Sequence, residues 1–200
     1  MSTKKKILAA ALKLFNESNT QAATTNHIAA ATGISPGNLH YHYKNREEII
    51  LRLYEEMKSK TELPVPELPG TLAHLHAHFV ELSRVYWEYR FFHRELLFLL
   101  SRDPELKRIY TEDNIAHRER IILVLRNLQQ YGYLAFPYDN VLDHLADTTL
   151  LATQFWNGLL ETLGRPLNES GVEGMFIFLE GAMRPYLTPD GLKALSALEK

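Results

Sequence analysis

The sequence predicts an all-α protein in which a small N-terminal three-helix unit precedes a larger C-terminal helical domain. Three observations carry that prediction. Apolar residues recur at steps of three and four along most of the 200 residues, while no segment sustains period-two alternation and no internal repeat is evident. Caps and a glycine divide residues 23–49 into short helical pieces. Residues 62–70 then place three prolines and a glycine in nine positions, which cannot continue a helix. The expected domains are residues 1–60 and 61–200.

Taken in order, Ile7, Leu8, Ala11, Leu12 and Phe15 follow Ser2-Thr3 at helical spacing and predict a first helix over residues 3–17. Thr24 or Thr25 supplies a hydroxyl that can accept from the orphan amides of the next turn, starting a short helix that reaches about Ala31. Gly33 suits the positive φ that ends such a helix. Ser35 caps the next one and Pro36 fits its first turn, where a missing N–H has no intrahelical partner, so a helix is expected over residues 36–42. Asn45 caps a further helix whose apolar positions are Ile49, Ile50, Leu53, Tyr54 and Met57.

Ile28, Ile34 and Leu39 pin the two short helices together, and Ala29 is small where they cross. The outward remainder, Ser35, Gly37, Asn38, His40, Tyr41, His42 and Lys44, is polar, aromatic or cationic. It gathers toward the end of the second helix that meets base edges in helix-turn-helix docking. Packing alone does not call for Ser-Pro-Gly-Asn on an outer face. The segment from Lys4 to Met57 resembles the N-terminal domain of the TetR family of bacterial regulators. It supplies Thr25, Ile28, Ala29, Gly33, Ile34, Ser35, Gly37, Leu39, Tyr41, Tyr43, Asn45, Arg46, Glu47 and Ile49 at or near the family's signature places. Departures are His40 for the usual tyrosine, Tyr43 for the usual phenylalanine, and Asn19 near the glycine that commonly ends the first helix.

The resemblance implies a homodimeric repressor, released from a palindromic operator in double-stranded DNA by a small-molecule effector of unknown identity. On this reading Asn38 and His40 contact base edges, with close backbone approach at Pro36 and Gly37. Thr25, Tyr41, His42 and Lys44 hold phosphates, and Asn26 and Ser35 complete the DNA-binding set. A regulator gated by a protein partner, or ungated with a purely dimerising C-terminal domain, is the alternative.

Charge is distributed accordingly. Residues 1–60 carry nine Lys or Arg against five Glu, +4, and residues 61–200 carry thirteen against nineteen, −6. Zero cysteines exclude disulfides and thiol chemistry. No uncharged apolar run of about 18 residues and no signal-peptide core is present, so neither a membrane nor export is expected and the location expected is cytoplasmic. Gly-rich phosphate loops, H-E-x-x-H and G-x-S-x-G are absent, and neither enzymatic activity nor a cofactor is expected.

Beyond the boundary, Leu72, Leu75, Phe79, Leu82 and Tyr86 form a helical seam, and YRFFHRELLFLL at residues 89–100 reads as one enclosed helix. Long helices are expected over residues 104–131, 139–163 and 168–187, with a short one after Pro189. In the penultimate segment Val172, Met175, Phe176, Leu179, Met183 and Tyr186 make one apolar stripe, and Gly174, Phe178 and Gly181 a second face. Two faces need two partners, and the resemblance assigns the outer one, with the preceding long helix, to a homodimer. Polar groups interrupting apolar seams mark a candidate ligand site. Tyr86, Arg90 and His93 share one face, Tyr110, Asn114 and His117 another, and Gln154, Phe155 and Trp156 add amide and aromatic surface. Inward-facing Arg90 and Arg94 would select an anion. His74 and His78 share a face that His76 does not, which is an incomplete set for zinc, so no metal is expected.

Overall fold

The computed structural model describes residues 2–198, which form eleven α-helices, with two short 3-10 turns at Val65–Glu67 and Arg184–Tyr186. Two compact units emerge: residues 1–62 with 88–107, and residues 63–87 with 108–200. The chain therefore crosses near the proline-rich segment, returns for twenty residues, and crosses again. A single boundary near residue 60 does not capture that return.

In the first unit, α1 (Thr3–Glu17), α2 (Thr25–Thr32), α3 (Pro36–His42) and α4 (Arg46–Thr61) close on a core of Ile7, Ala11, Phe15, Ile28, Leu39, Ile49 and Leu53. Their ends are set by side chains. Thr24 accepts from the His27 amide at 3.3 Å, Ser35 from Asn38 at 3.2 Å, and Asn45 from Glu48 at 2.9 Å. Gly33 sits at φ 68°, its amide bonded to Ala30 and that of Ile34 to Ala29, so α2 stops in the left-handed turn that glycine adopts without a Cβ clash.

Residues 89–100, expected as one enclosed helix, form two: α6 (Arg90–Arg94) and α7 (Leu96–Arg102). Glu95 lies between them at φ −109°, ψ 11°, its carboxylate accepting from the amide and hydroxyl of Thr20 at 3.0 and 2.6 Å. Phe91, Phe92, Leu96 and Leu99 are buried, but Leu97 is 66% exposed, so the enclosure is one-sided. Arg94 faces the end of α1. Its guanidinium donates to the carbonyls of Phe15, Asn16 and Ser18 at 2.7, 3.2 and 2.8 Å. Asn16 in turn donates to the Glu88 carbonyl and accepts from the Phe91 amide, while Phe91 packs on Phe15 with ring centroids 5.3 Å apart.

In the second unit, α5 (Leu72–Glu88), α8 (Pro104–Gln130) and α9 (Val141–Thr162) contribute Leu72, Leu75, Leu125, Leu128, Val141 and Leu145 to one core, which Met183 joins. The helix α10 (Glu169–Met183) builds a second core, with Met175, Phe176 and Leu179 against Ala152. The α-helix ends at Met183, short of the expected Leu187. Pro185 has no N–H to continue the ladder, and the chain tightens into a 3-10 turn before α11 (Pro189–Leu198).

Replacing Gly33 by Ala forces a side chain into the left-handed region and is expected to destabilise the protein by about 1–2 kcal/mol. A urea unfolding curve of the variant checks this, and an unchanged midpoint would show that the turn relaxes.

Candidate nucleic-acid interface and ligand site

The turn from α2 to α3 and the start of α4 fix how α3 is presented. Leu39 is buried beneath α3 and Tyr43 beneath its C-terminal end, so Pro36, Gly37, Asn38, His40 and Tyr41 lie outward, Tyr41 being 84% exposed. His42 is half-buried with its ring edge-on to Tyr41 at 5.2 Å. At the other end of the hairpin Thr25 is half-buried and Asn26 exposed. Thr24, not Thr25, is the α2 cap, which leaves the Thr25 hydroxyl outside the capping arrangement.

Lys44 is exposed, and its backbone is held on both sides. Its amide donates to Glu48 at 2.7 Å, and its carbonyl lies 3.1 Å from His40 Nδ1. Ser35 is engaged as the α3 cap, so its hydroxyl serves the helix first. At Gly37 an added Cβ would meet nothing within 4 Å. The fold itself does not demand glycine there, unlike at Gly33. Arg46, a residue not singled out for a role from spacing, fastens α4 to the preceding loop by donating to the Thr20 carbonyl at 2.6 Å.

The ligand candidates separate between the two units. Arg90 and His93 belong to the first, with both ring nitrogens of His93 shut off from solvent and burial lowering its pKa to about 4. Arg94 is engaged by α1. A cleft of about 430 Å3 also opens in this unit, walled by Arg46 and Ile50 of α4 and by Phe98, Arg102 and Leu106, and includes none of the expected ligand residues.

Tyr86, Tyr110 and Asn114 do come together in the second unit, with Thr153 and Gln154 of α9. Thr153 Oγ1 donates to the Thr149 carbonyl at 2.9 Å and interacts with the Tyr86 hydroxyl. Asn114 donates to the Tyr110 carbonyl at 2.8 Å and accepts from Gln154 Nε2 at 2.9 Å. Burial raises both phenols, Tyr110 to about 12. His117 lies near enough to His78 and Arg120 to feel their charges, and burial first, then those charges, lower its pKa to about 4. Tyr86, Tyr110, Asn114, Thr153 and Gln154 thus form an uncharged group, and His117, on the same helix as Asn114, is neutral beside the Arg120 cation.

Trp156 is pinned elsewhere, its indole donating to the Gly171 carbonyl at 2.8 Å and its ring tilted on Phe178. Phe155 is exposed and follows Leu151 and precedes Leu159 at steps of four, a row of apolar side chains on the outside of α9. Neither joins the polar cluster. Phe155 stands two steps, about 200°, from Thr153 and so points away from it, whereas Trp156, three steps on, stays on that side of α9 and packs, as Tyr86 does, against the core of Ala152, Met175 and Phe176. His76 is bonded to Glu180 at 2.7 Å.

Comparison with known proteins decides the family. Residues 51–195 match the TetR model described as bacterial transcriptional repressor, and residues 7–53 match that of bacterial regulatory proteins, tetR family. The chain belongs to the TetR family. The crystal structure of a TetR-family transcriptional regulator from Marinobacter aquaeolei VT8 is 29% identical, with a TM-score of 0.87 over all of this chain and 98% of that one. SmeT, the repressor of the Stenotrophomonas maltophilia multidrug efflux pump SmeDEF, shares the fold at 19% identity and a TM-score of 0.61, covering 94% of this chain and 92% of SmeT. The HTH-type transcriptional regulator QacR of Staphylococcus aureus is 38% identical over 60 residues, which are 30% of this chain and 32% of QacR. The chain thus spans about a third of the length of that curated relative. This TetR-family protein is a transcriptional regulator with an N-terminal DNA-binding helix-turn-helix. Among its described residues no helix is long and apolar enough to cross a membrane.

Because His117 is held neutral in the folded state, the unfolded chain binds the extra proton between its ordinary value of 6.5 and about 4. Folding stability contributed by this group is complete above that window and is lost as pH falls through it. Urea midpoints measured across the window should fall less steeply for His117→Gln than for the parent, and parallel curves would show that His117 is solvated.

Proposed function

We propose that the protein is a homodimeric repressor that binds a palindromic operator through α3 and is released by a small-molecule effector bound in its second unit. The observation that carries the DNA reading is Gly37. A glycine within a helix is unfavourable by about 1 kcal/mol relative to alanine, yet no neighbour inside the protein needs its missing Cβ. Close approach of an outside partner explains it, and the flanking Ser35, Pro36, Asn38 and Tyr41 are the groups that such a partner would meet. In this reading Asn38 and His40 read base edges, while Thr25, Asn26, Tyr41, His42 and Lys44 hold the phosphate backbone. Such a regulator acts in the cytoplasm, on the chromosome, and carries out no catalysis.

Two further features support the rest. Leu151, Phe155 and Leu159 on α9 continue in kind with Ile177 and Phe178 on α10, two helices that pack side by side. Leu151 at 62% and Ile177 at 68% exposure are far more open than a stable surface needs, and a two-fold axis would bury both helices against their copies. A dimer also matches the two half-sites of a palindrome, spaced by a helical turn or a multiple of it. The effector is assigned to the neutral cluster of Tyr86, Tyr110, Asn114, His117 and Gln154, where Oε1 of Gln154 accepts from no described residue. Arg90 and His93 drop out of that assignment, as do Phe155 and Trp156. Release follows when the effector binds more tightly to a dimer whose reading heads no longer match the operator.

Fluorescence anisotropy against DNA from the gene's own promoter region tests the reading. Binding should exceed random DNA by at least ~10³-fold and fall steeply with salt. Gly37→Ala should keep or raise the thermal midpoint while losing operator affinity, because the new methyl stands only in the way of DNA. Lys44→Ala should weaken operator and random DNA about equally and flatten the salt slope by about one unit. If Gly37→Ala binds as tightly as the parent, α3 is not the reading helix. Leu151→Glu should convert a dimer to a monomer in sedimentation at micromolar concentration, and a dimer that survives the charge would move the interface elsewhere.

A further inference from the structure

His40 is tied to the backbone by one ring nitrogen, and the chemistry of that bond sets what the other can do. The Lys44 carbonyl oxygen can only accept, so Nδ1, 3.1 Å away, carries the ring proton. A neutral imidazole has a single N–H, which leaves Nε2 as a bare acceptor. Nε2 makes no bond to any described residue, and His40 is exposed on the same seven-residue helix as Gly37 and Asn38. The carbonyl cannot easily swing away and free the ring. The Lys44 amide is held by Glu48 at 2.7 Å, and Asn45 holds the Glu48 amide at 2.9 Å, so the whole turn into α4 is braced.

Building on the DNA-reading face proposed above, we infer that His40 reads sequence as a hydrogen-bond acceptor, through Nε2, from the exocyclic amino group of an adenine or cytosine in the major groove. Of the four bases, only adenine N6 and cytosine N4 present donors on that edge, whereas guanine and thymine offer acceptor oxygens, and guanine a ring nitrogen as well. A bare Nε2 facing those acceptors, or a phosphate oxygen, gains nothing and is repelled. His40 therefore rejects guanine and thymine at its position, and it does so because its own backbone bond has consumed its proton. Asn38, with both a donor and an acceptor on its amide, carries no such restriction.

Two measurements test this. Long-range 15N–1H correlation spectra of the full-length protein at about pH 8, above the ordinary histidine range, should show Nδ1 of His40 protonated and Nε2 bare. The reverse tautomer would overturn the inference without any DNA present. Anisotropy titrations then use operator duplexes in which single adenines are replaced by purine, or single cytosines by 2-pyrimidinone, each lacking the amino group. One position per half-site should lose about five-fold in affinity, the worth of one net hydrogen bond, and the analogue that produces the loss names the base. His40→Asn, whose shorter amide can still reach the Lys44 carbonyl but not the base, should bind less tightly and be indifferent to the substitution at that position. If every amino deletion is felt equally by parent and variant, His40 does not read an amino group. If a neutral methylphosphonate in place of one phosphate erases the difference between parent and variant, its contact is to the backbone. Absence of preference for any promoter duplex would instead overturn the regulator reading itself, and this contact with it.

Discussion

The last carbonyls of a helix have no intrahelical donor, and at the end of α1 the guanidinium of Arg94 supplies it. Its planar fork reaches three carbonyl oxygens at once, which a lysine ammonium on its flexible stem matches less well. Glu95 beside it takes the amide and hydroxyl of Thr20, a side chain only 1% exposed, and Arg46 takes the Thr20 carbonyl. All the main-chain hydrogen-bonding groups of that buried loop residue are thereby satisfied by charged side chains, which is among the stronger forms of hydrogen bond. The position of α1, and through its core residues of the helix-turn-helix, depends on this knot. It also draws residues 88–107 into the first unit, although the sequence that flanks them on both sides belongs to the second.

Around α3 a division of labour follows from capping. Ser35, Asn45, Glu48 and the proton of His40 are committed to backbone groups, and they make a seven-residue helix rigid that is too short to be stable alone. Asn38, Tyr41 and the far edge of His40 are left outward, and Gly37 opens the backbone. A rigid platform with uncommitted polar edges is what sequence readout needs, since each floppy contact would have to be ordered on binding.

In the second unit polar and apolar residues are sorted by helix face. On α9 the Thr153 side chain meets Tyr86 about half a turn from the outward Leu151 and Phe155, and Gln154, which meets Asn114, lies between the two faces. The first face holds neutral hydrogen-bonding groups desolvated by packing. The second is left partly open by the described residues. The proposed effector and the proposed partner copy would thus act on opposite faces of the same helix, which gives ligand binding a short mechanical route to the dimer axis.

Much of this was legible in the amino-acid order. The bounds of α1 and α3, the stop at Gly33 and the caps Ser35 and Asn45 follow from local rules, because a hydroxyl, an amide, a proline or a missing Cβ acts on its own backbone within four residues. The core stripe of α10 was equally readable from spacing, as was the outward set on α3. Family membership followed from the same short-range pattern. What the order of residues could not decide were partnerships across long separations. Arg90 and His93 share spacing with Tyr86, but Tyr89 and Glu95 break the helix on either side of α6 and carry those residues into the other unit. Arg94 was a candidate anion ligand until its donors met carbonyls 76 to 79 positions away. Thr153 gave no signal, since one threonine among the four of α9 reads as filler until Tyr86 is placed against it. Local hydrogen-bonding rules fix where helices begin and end, whereas the choice of which face meets which neighbour is made only when the packed chain satisfies all its buried polar groups at once.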